Sequence, residues 1–240
     1  MTPELTHHPL VRADGSATFS SKPFTILASV NGPIEVQRRD ELPEEAAIEV
    51  NVRPSAGAGG PRERWMESVI VSLLRSLLLV HMNPRTLIQV TLQVTKEPTV
   101  KLKKAMLDIA IIPSLANAAF LALVDGALPM NGTATGGLAV VKPDSTMTVD
   151  PTEADLKACK SIHTMVYTAK GDLLLDESAG LFTMTEWEAM AKQLKKSVVG
   201  AMRHTDEDHA MMNGNAEDEP WMRRALEERV QQAGAWRESG

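Results

Sequence analysis

The sequence predicts an α+β protein, and three observations carry the prediction. Runs in which apolar and polar residues alternate occur in both halves of the chain. In each half they are followed by stretches whose apolar residues recur three or four apart. A hydrophobic fraction of 43% over 240 residues is enough to fill a core. Strands followed by helices, twice over, indicate helices packed on mixed or antiparallel sheets.

The first 50 residues read as strands. Ala17–Ser20 follows the turn Asp14-Gly15. Phe24, Ile26, Ala28 and Val30 alternate with more polar neighbours, Leu27 excepted, and Ile48, Val50 and Val52 alternate with Glu49 and Asn51. Asn31-Gly32-Pro33 and the segment 40–45 supply turns. A Gly-rich loop, 55–61, leads into a long helix running to about Met82. Its polar stripe of Arg64, Ser68, Ser72 and Arg75 is narrow enough to predict packing on several sides, with part of the surface covered by a partner chain. Thr86–Thr95 is the clearest strand, with Ile88, Val90, Leu92 and Val94 on one face. A helix over Ser114–Asp125 is stopped by Gly126 and Pro129. The stretch 96–113 has no pattern that assigns it. Further strands are predicted at Leu138–Val141, Thr146–Val149, Ile162–Thr168 and Leu173–Asp176. Thr185 with Glu188 predicts a capping box for a helix carrying Trp187, Ala191, Leu194, Val198 and Ala201. A last helix from Pro220 is expected to bury Met222, Leu226, Val230 and Ala233.

Composition removes several classes. One cysteine, Cys159, excludes a disulfide framework and multi-thiolate zinc. The opening residues lack the apolar run of a signal peptide, and the apolar stretch 110–124 is short of the roughly 20 residues of a membrane span, so a soluble intracellular protein with no membrane partner is expected. The net charge of −6 lies mostly in residues 205–240, which hold nine acids and four bases, and the body is nearly neutral. A broad basic face for non-specific DNA binding is therefore not expected. An aromatic content of 4% argues against base-stacking platforms. The segment 205–220, with six acids and no Lys or Arg, reads as a linker.

No Walker loop, Rossmann glycine fingerprint, HExxH or GxSxG occurs. Gly57-Ala58-Gly59-Gly60 before a helix is compatible with a phosphate cradle, but no Lys-Ser/Thr follows, which favours a plain loop. His204 and His209 with Asp206 and Asp208 are metal-ligand types in an acidic linker that offers no scaffold, so no metal is assigned. Lys157, Lys160 and His163 surround Cys159 in sequence, yet nothing marks a thiol mechanism.

The order of several short segments carries more. Residues 13–17 (ADGSA), 28–36 (ASVNGPIEV) and 48–54, ending V-R-P, are followed by Leu74-Arg75-Ser76-Leu77, Pro84-Arg85-Thr86 and Ala116-Asn117-Ala118-Ala119. Asp150-Pro151-Thr152, Ser161-Ile162-His163 and residues 176–180 (DESAG) before Phe182-Thr183 complete the series. Over about residues 10–203 this resembles the RNase PH-type subunits of the RNA exosome ring. The resemblance implies an RNase PH-like fold of two pseudo-repeated βαβα halves, about 10–126 and 127–203, in one domain spanning 1–203. An acidic linker and C-terminal helix, 204–240, would follow.

The same resemblance implies lost catalysis. Phosphorolysis must hold an inorganic phosphate beside a polyanion, which needs converging arginine, hydroxyl and N–H donors. Active relatives carry Gly-Gly-Thr-Arg after the central strand, where this chain has Thr95-Lys96-Glu97-Pro98-Thr99, with an added carboxylate and a missing N–H. Of two aspartates six apart, Asp155 matches the first and Ser161 replaces the second. An early Gly-x-Thr becomes Pro23-Phe24-Thr25, and Arg75 matches a helix arginine. Arg75 and Asp155 would thus be relics of a phosphorolytic site. Arg53, Arg62, Arg64 and Lys96 would contact RNA phosphates, against the alternative of solvated surface charges. The implied role is a non-catalytic ring subunit without cofactor, found in nucleus, nucleolus and cytoplasm. Its partners would be other RNase PH-like ring subunits, RNA-binding cap subunits, an attached nuclease and single-stranded RNA. The alternative is a homodimeric phosphorolytic or metal-dependent nuclease using Asp150, Glu153, Asp155 and Arg75.

Overall fold

A computed structural model describes residues 3–99, 104–202 and 220–234. The acidic linker and its His204, His209, Asp206 and Asp208 lie outside the described residues, as do Lys101 and Lys103. The first sheet has the order β1 (Glu4–His7), β2 (Gly15–Ser20), β3 (Thr25–Glu35), β5 (Thr86–Lys96), β4 (Ala47–Arg53). All neighbours are antiparallel except β4 and β5, which run parallel. The connection between that parallel pair contains α1 (Pro61–Leu77). The second sheet, β7 (Met147–Val149), β6 (Ala134–Val141), β8 (Ser161–Thr168), β9 (Leu173–Gly180), is antiparallel throughout. One sheet mixed and one antiparallel is the α+β arrangement the alternation predicts.

Between the sheets lies α2 (Lys104–Asp125), packed on β2 and β3 on one side and on β6 and β8 on the other. It is buried nearly all round, including Ile111, Ile112, Leu115, Phe120 and Leu121. By length and composition it could cross a bilayer, but 83% of its apolar window is inside the protein. The helix begins some ten residues before the expected Ser114, running through Pro113. A proline there removes the N–H that would bond the Ile109 carbonyl. Thr164 on β8 compensates, its hydroxyl donating to that carbonyl at 2.8 Å. One turn on, Asn117 donates to the Gly136 carbonyl at 3.0 Å and accepts the Gly136 N–H at 2.7 Å. The helix is thus stitched to the second sheet by polar contacts that local sequence patterns do not reveal.

Other boundaries also shift for physical reasons. α1 stops at Leu77 rather than near Met82, because the chain turns extended at Leu78 to meet Met130. Leu79 N–H then bonds Pro129 O, and Asn131 N–H bonds Leu77 O. Only one face of α1 is buried, through Met66, Ile70, Leu73, Leu74 and Leu77, while Trp65 stays 37% exposed. A short helix the sequence did not announce, α3 (Glu153–Ala158), is capped by Thr152 with Asp155. The cap of α4 (Met184–Gly200) is Thr183 with Glu186, two residues before the expected pair. The last helix, α5 (Trp221–Gly234), buries Met222 and Ala225, but Val230 is 70% exposed and Ala233 is exposed. It docks on the first sheet, Trp221 lying 5.7 Å from Phe19 between ring centroids, with Arg229 bound to the Asp125 carboxylate at the end of α2.

Gly15 marks the tightest junction between α2 and the first sheet. A Cβ there would stand 2.3 Å from Ala122 O and 2.4 Å from Gly126 N, both backbone atoms that cannot step aside. Gly15→Ala should therefore cost about 3 kcal/mol, read as a lowered urea midpoint with an unchanged slope.

Candidate RNA-binding cleft

Where the two sheets part at the side of α2, they leave a cleft of about 350 Å³. Its lining comes from the β2–β3 turn, the end of β5, the middle of α2, β6, the turn after β7, and α4 and α5. Lys22 and Lys96 bring positive charge, and Ser20, Ser21, Thr25, Ser114, Thr135 and Ser197 bring hydroxyls. Ser21 and Ser114 share a hydrogen bond of 3.1 Å. The Thr135 hydroxyl, on a residue only 2% exposed, has no protein partner. Burying such a group without a partner is costly.

Asp150 stands at the rim in the left-handed region, with φ 52°. Its N–H bonds Leu138 O, and Lys22 Nζ donates to its carbonyl at 2.8 Å. Surrounding protein pushes its carboxyl up, against the pull of Lys22. The residue surface is open to the cleft, so water moderates that effect.

The residues expected to contact RNA separate into three situations. Arg53 at the end of β4 and Arg64 in the first turn of α1 are exposed. Lys96, at the end of β5, reaches the cleft. Arg62 is committed elsewhere: it binds Asp108 on α2 and lies 3.5 Å from the Glu97 carboxylate. A contact of Arg62 with an RNA phosphate would have to compete with these two pairs. The same pair engages Glu97. Its charge is answered by Arg62, and neither Glu97 nor Pro98 lines the cleft.

The expected relics are not brought together. Arg75 lies in the last turn of α1, about 20 Å along the helix from Arg62 at 1.5 Å per residue, and donates to Glu45 at 2.7 Å. Asp155 takes Thr152 N–H and hydroxyl in the α3 cap and pairs with Lys142 at 2.8 Å. The Lys142 ammonium, followed by the Thr152 donors, holds its carboxyl well below the usual range. Neither residue lines the cleft. The Gly-rich loop is closed as an anion site too, since Gly60 N–H already donates to Glu63 at 2.7 Å. Cys159 is half-buried, and burial pushes its thiol up, away from a reactive thiolate. Among the described residues no cluster of three metal-ligating side chains exists.

Ser161, at the position of the second aspartate, is fully buried and bonds His163 Nε2 at 3.0 Å. Ser178 holds the other ring nitrogen at 2.9 Å, and Phe182 packs edge-on at 4.7 Å. Sequence reasoning missed Lys22, Asn117, Thr135 and Trp221 as neighbours of one cleft, because they come from four elements far apart in the chain. Asp150 in its Asp-Pro-Thr segment, Lys96, and the Pro23-Phe24-Thr25 segment were the signals the sequence offered.

Residues 4–129 match the family described as 3′ exoribonuclease family, domain 1 (RNase_PH). The chain is 33% identical over 213 residues to the exosome complex component RRP46 of Saccharomyces cerevisiae, covering 83% of this chain and 93% of the relative. The crystal structure of rice (Oryza sativa) Rrp46 superposes with TM-score 0.68 at 26% identity, covering 82% of this chain and 89% of that one. The Archaeoglobus fulgidus exosome with RNA bound to the active site shares the fold at TM-score 0.66 and 13% identity, over 82% and 85% of the two chains.

Burial holds His163 down to about 4. The folded state therefore prefers the neutral ring, and stability that is complete above the ordinary histidine range near 6.5 declines as pH falls toward 4. An NMR titration of the His163 ring should give a midpoint near 4, where a freely hydrated ring would give one near 6.5.

Proposed function

Because this chain belongs to the RNase PH (3′ exoribonuclease) family, in the type of the exosome component RRP46, we propose that it serves as a non-catalytic ring subunit of an RNA exosome. It would join other RNase PH-like subunits, support RNA-binding cap subunits, and help line the channel that threads single-stranded RNA to an attached nuclease. Residence in nucleus, nucleolus and cytoplasm belongs to the same reading.

One observation carries the non-catalytic part: among the described residues no arginine lines the cleft. Phosphate attack on a phosphodiester needs fork-shaped donors that hold both anions close together. Lys22 is turned to a main-chain carbonyl, and Arg62 and Arg75 are paired with carboxylates outside the cleft. Lys96 in the cleft and the exposed Arg53 and Arg64 outside it remain to steer a phosphate backbone without activating it.

A second reading, a homodimeric nuclease, draws on Asp150, an acid in a strained backbone conformation at the cleft rim beside Lys22. Labelled single-stranded RNA separates the two. The expected result is no shortening with phosphate or with Mg²⁺, for the chain alone. Shortening that Asp150→Asn abolishes would establish the nuclease instead. Co-purification with RNase PH-like subunits is expected, and a monodisperse chain that joins none of them would overturn the ring reading. In the assembled ring, removing Arg53, Arg64 and Lys96 together should weaken RNA binding alike for all sequences. The slope of log K against log salt should drop by about 0.7 for each lost phosphate contact.

A further inference from the structure

α5 is a rim of the cleft as well as a C-terminal cap, since Trp221 lines the cleft together with Pro3 and Glu4, next to β1. Its attachment has three parts. The first is apolar: Trp221 on Phe19, with Met222 and Ala225 buried. The second is the fully buried Asp125 carboxylate, which accepts Ser16 N–H at 2.8 Å, pairs with His8 Nδ1 at 2.8 Å and binds Arg229 of α5. The third is His7 on β1, whose two ring nitrogens are sealed from solvent and have no hydrogen-bond partner.

His7 faces α5, against Ala225, with Glu228 and Arg229 of the same helix and Asp125 of α2 nearby. His8 follows it on the chain. The carboxylates near the ring are already engaged. Asp125 already serves Ser16, His8 and Arg229, and Glu228 lies 3.7 Å from Arg224. The Ala225 carbonyl is the main-chain acceptor beside the ring, and it favours the cation less than burial disfavours it. Enclosure costs a cationic ring more than a neutral one, because a charge loses more hydration on burial.

We propose that α5 is a proton-released clasp on the cleft: protonation of His7 undocks the helix and withdraws Trp221 from the rim. Burial, the leading influence on His7, lowers its affinity for the proton despite the nearby Asp125 and Glu228. The docked state therefore binds fewer protons than the undocked one. Docking is complete above the ordinary histidine range and weakens as pH falls below it, by at most about tenfold per pH unit for a single group. This concerns regulation of the cleft assigned above to RNA, but the docking itself needs neither RNA nor ring partners.

Amide hydrogen exchange of residues 221–234 in the full chain tests it, without RNA, at pH 7.5 and 5.5, with labelling times scaled for the intrinsic pH effect. The expected result is a severalfold loss of protection at the lower pH in the native chain. His7→Gln and His7→Leu, which cannot titrate, should each remove the pH dependence. Equal protection of the native chain at both pH values would overturn the clasp. So would a loss of protection that persists in whichever His7 variant folds. Because the measurement uses the isolated chain, a failed ring assembly leaves this result standing, and the reverse also holds.

Discussion

The polar stitching of α2 to the second sheet is the constraint on which the architecture depends. A helix this apolar gains its stability from burial on both sides, and apolar burial has no direction of its own. Direction comes from Asn117, which grips both polar groups of Gly136, and from Thr164, which fills the gap that Pro113 opens at Ile109. A slip of β6 or β8 by one residue would leave these buried groups unpaired. Two sheets with unrelated hydrogen-bond patterns are thereby held in one relation, and the cleft exists where they diverge.

That geometry also separates the shape of the cleft from its chemistry. The cleft's outline is set by main chain and by small residues that the core requires. Its chemistry would need long cationic side chains aimed inward. Here those side chains serve the frame: Arg62 ties α1 to α2 and to the segment after β5, Arg75 ties α1 to the approach to β4, and Lys142 ties β6 to α3. An ion pair between elements and a grip on phosphate draw on the same group, which cannot do both at once.

The fold was legible wherever periodicity is local. The alternation in Thr86–Thr95 and in Ile48, Val50 and Val52 named two strands of the first sheet, and their burial follows the pattern. Legibility failed where a distant residue settled a local choice. Pro113 obscured the first half of α2 because its compensation comes from Thr164, 55 positions from Ile109. Leu78 looked helical, but an antiparallel bridge to Met130 draws it out. The family was readable from ordered short segments. The pairing state of Arg62, Arg75 and Glu97 was not, since charge partners across elements leave no spacing in the sequence.

The outer border of β9 ends the second sheet with no neighbouring strand among the described residues. Leu181, 81% exposed, and Met184, 64% exposed, stand just beyond it. Main-chain donors and acceptors in an open row, next to bare aliphatic surface, act as a template for any extended polypeptide that drifts close. An edge of this kind, left bare, favours strand addition by whatever chain meets it first.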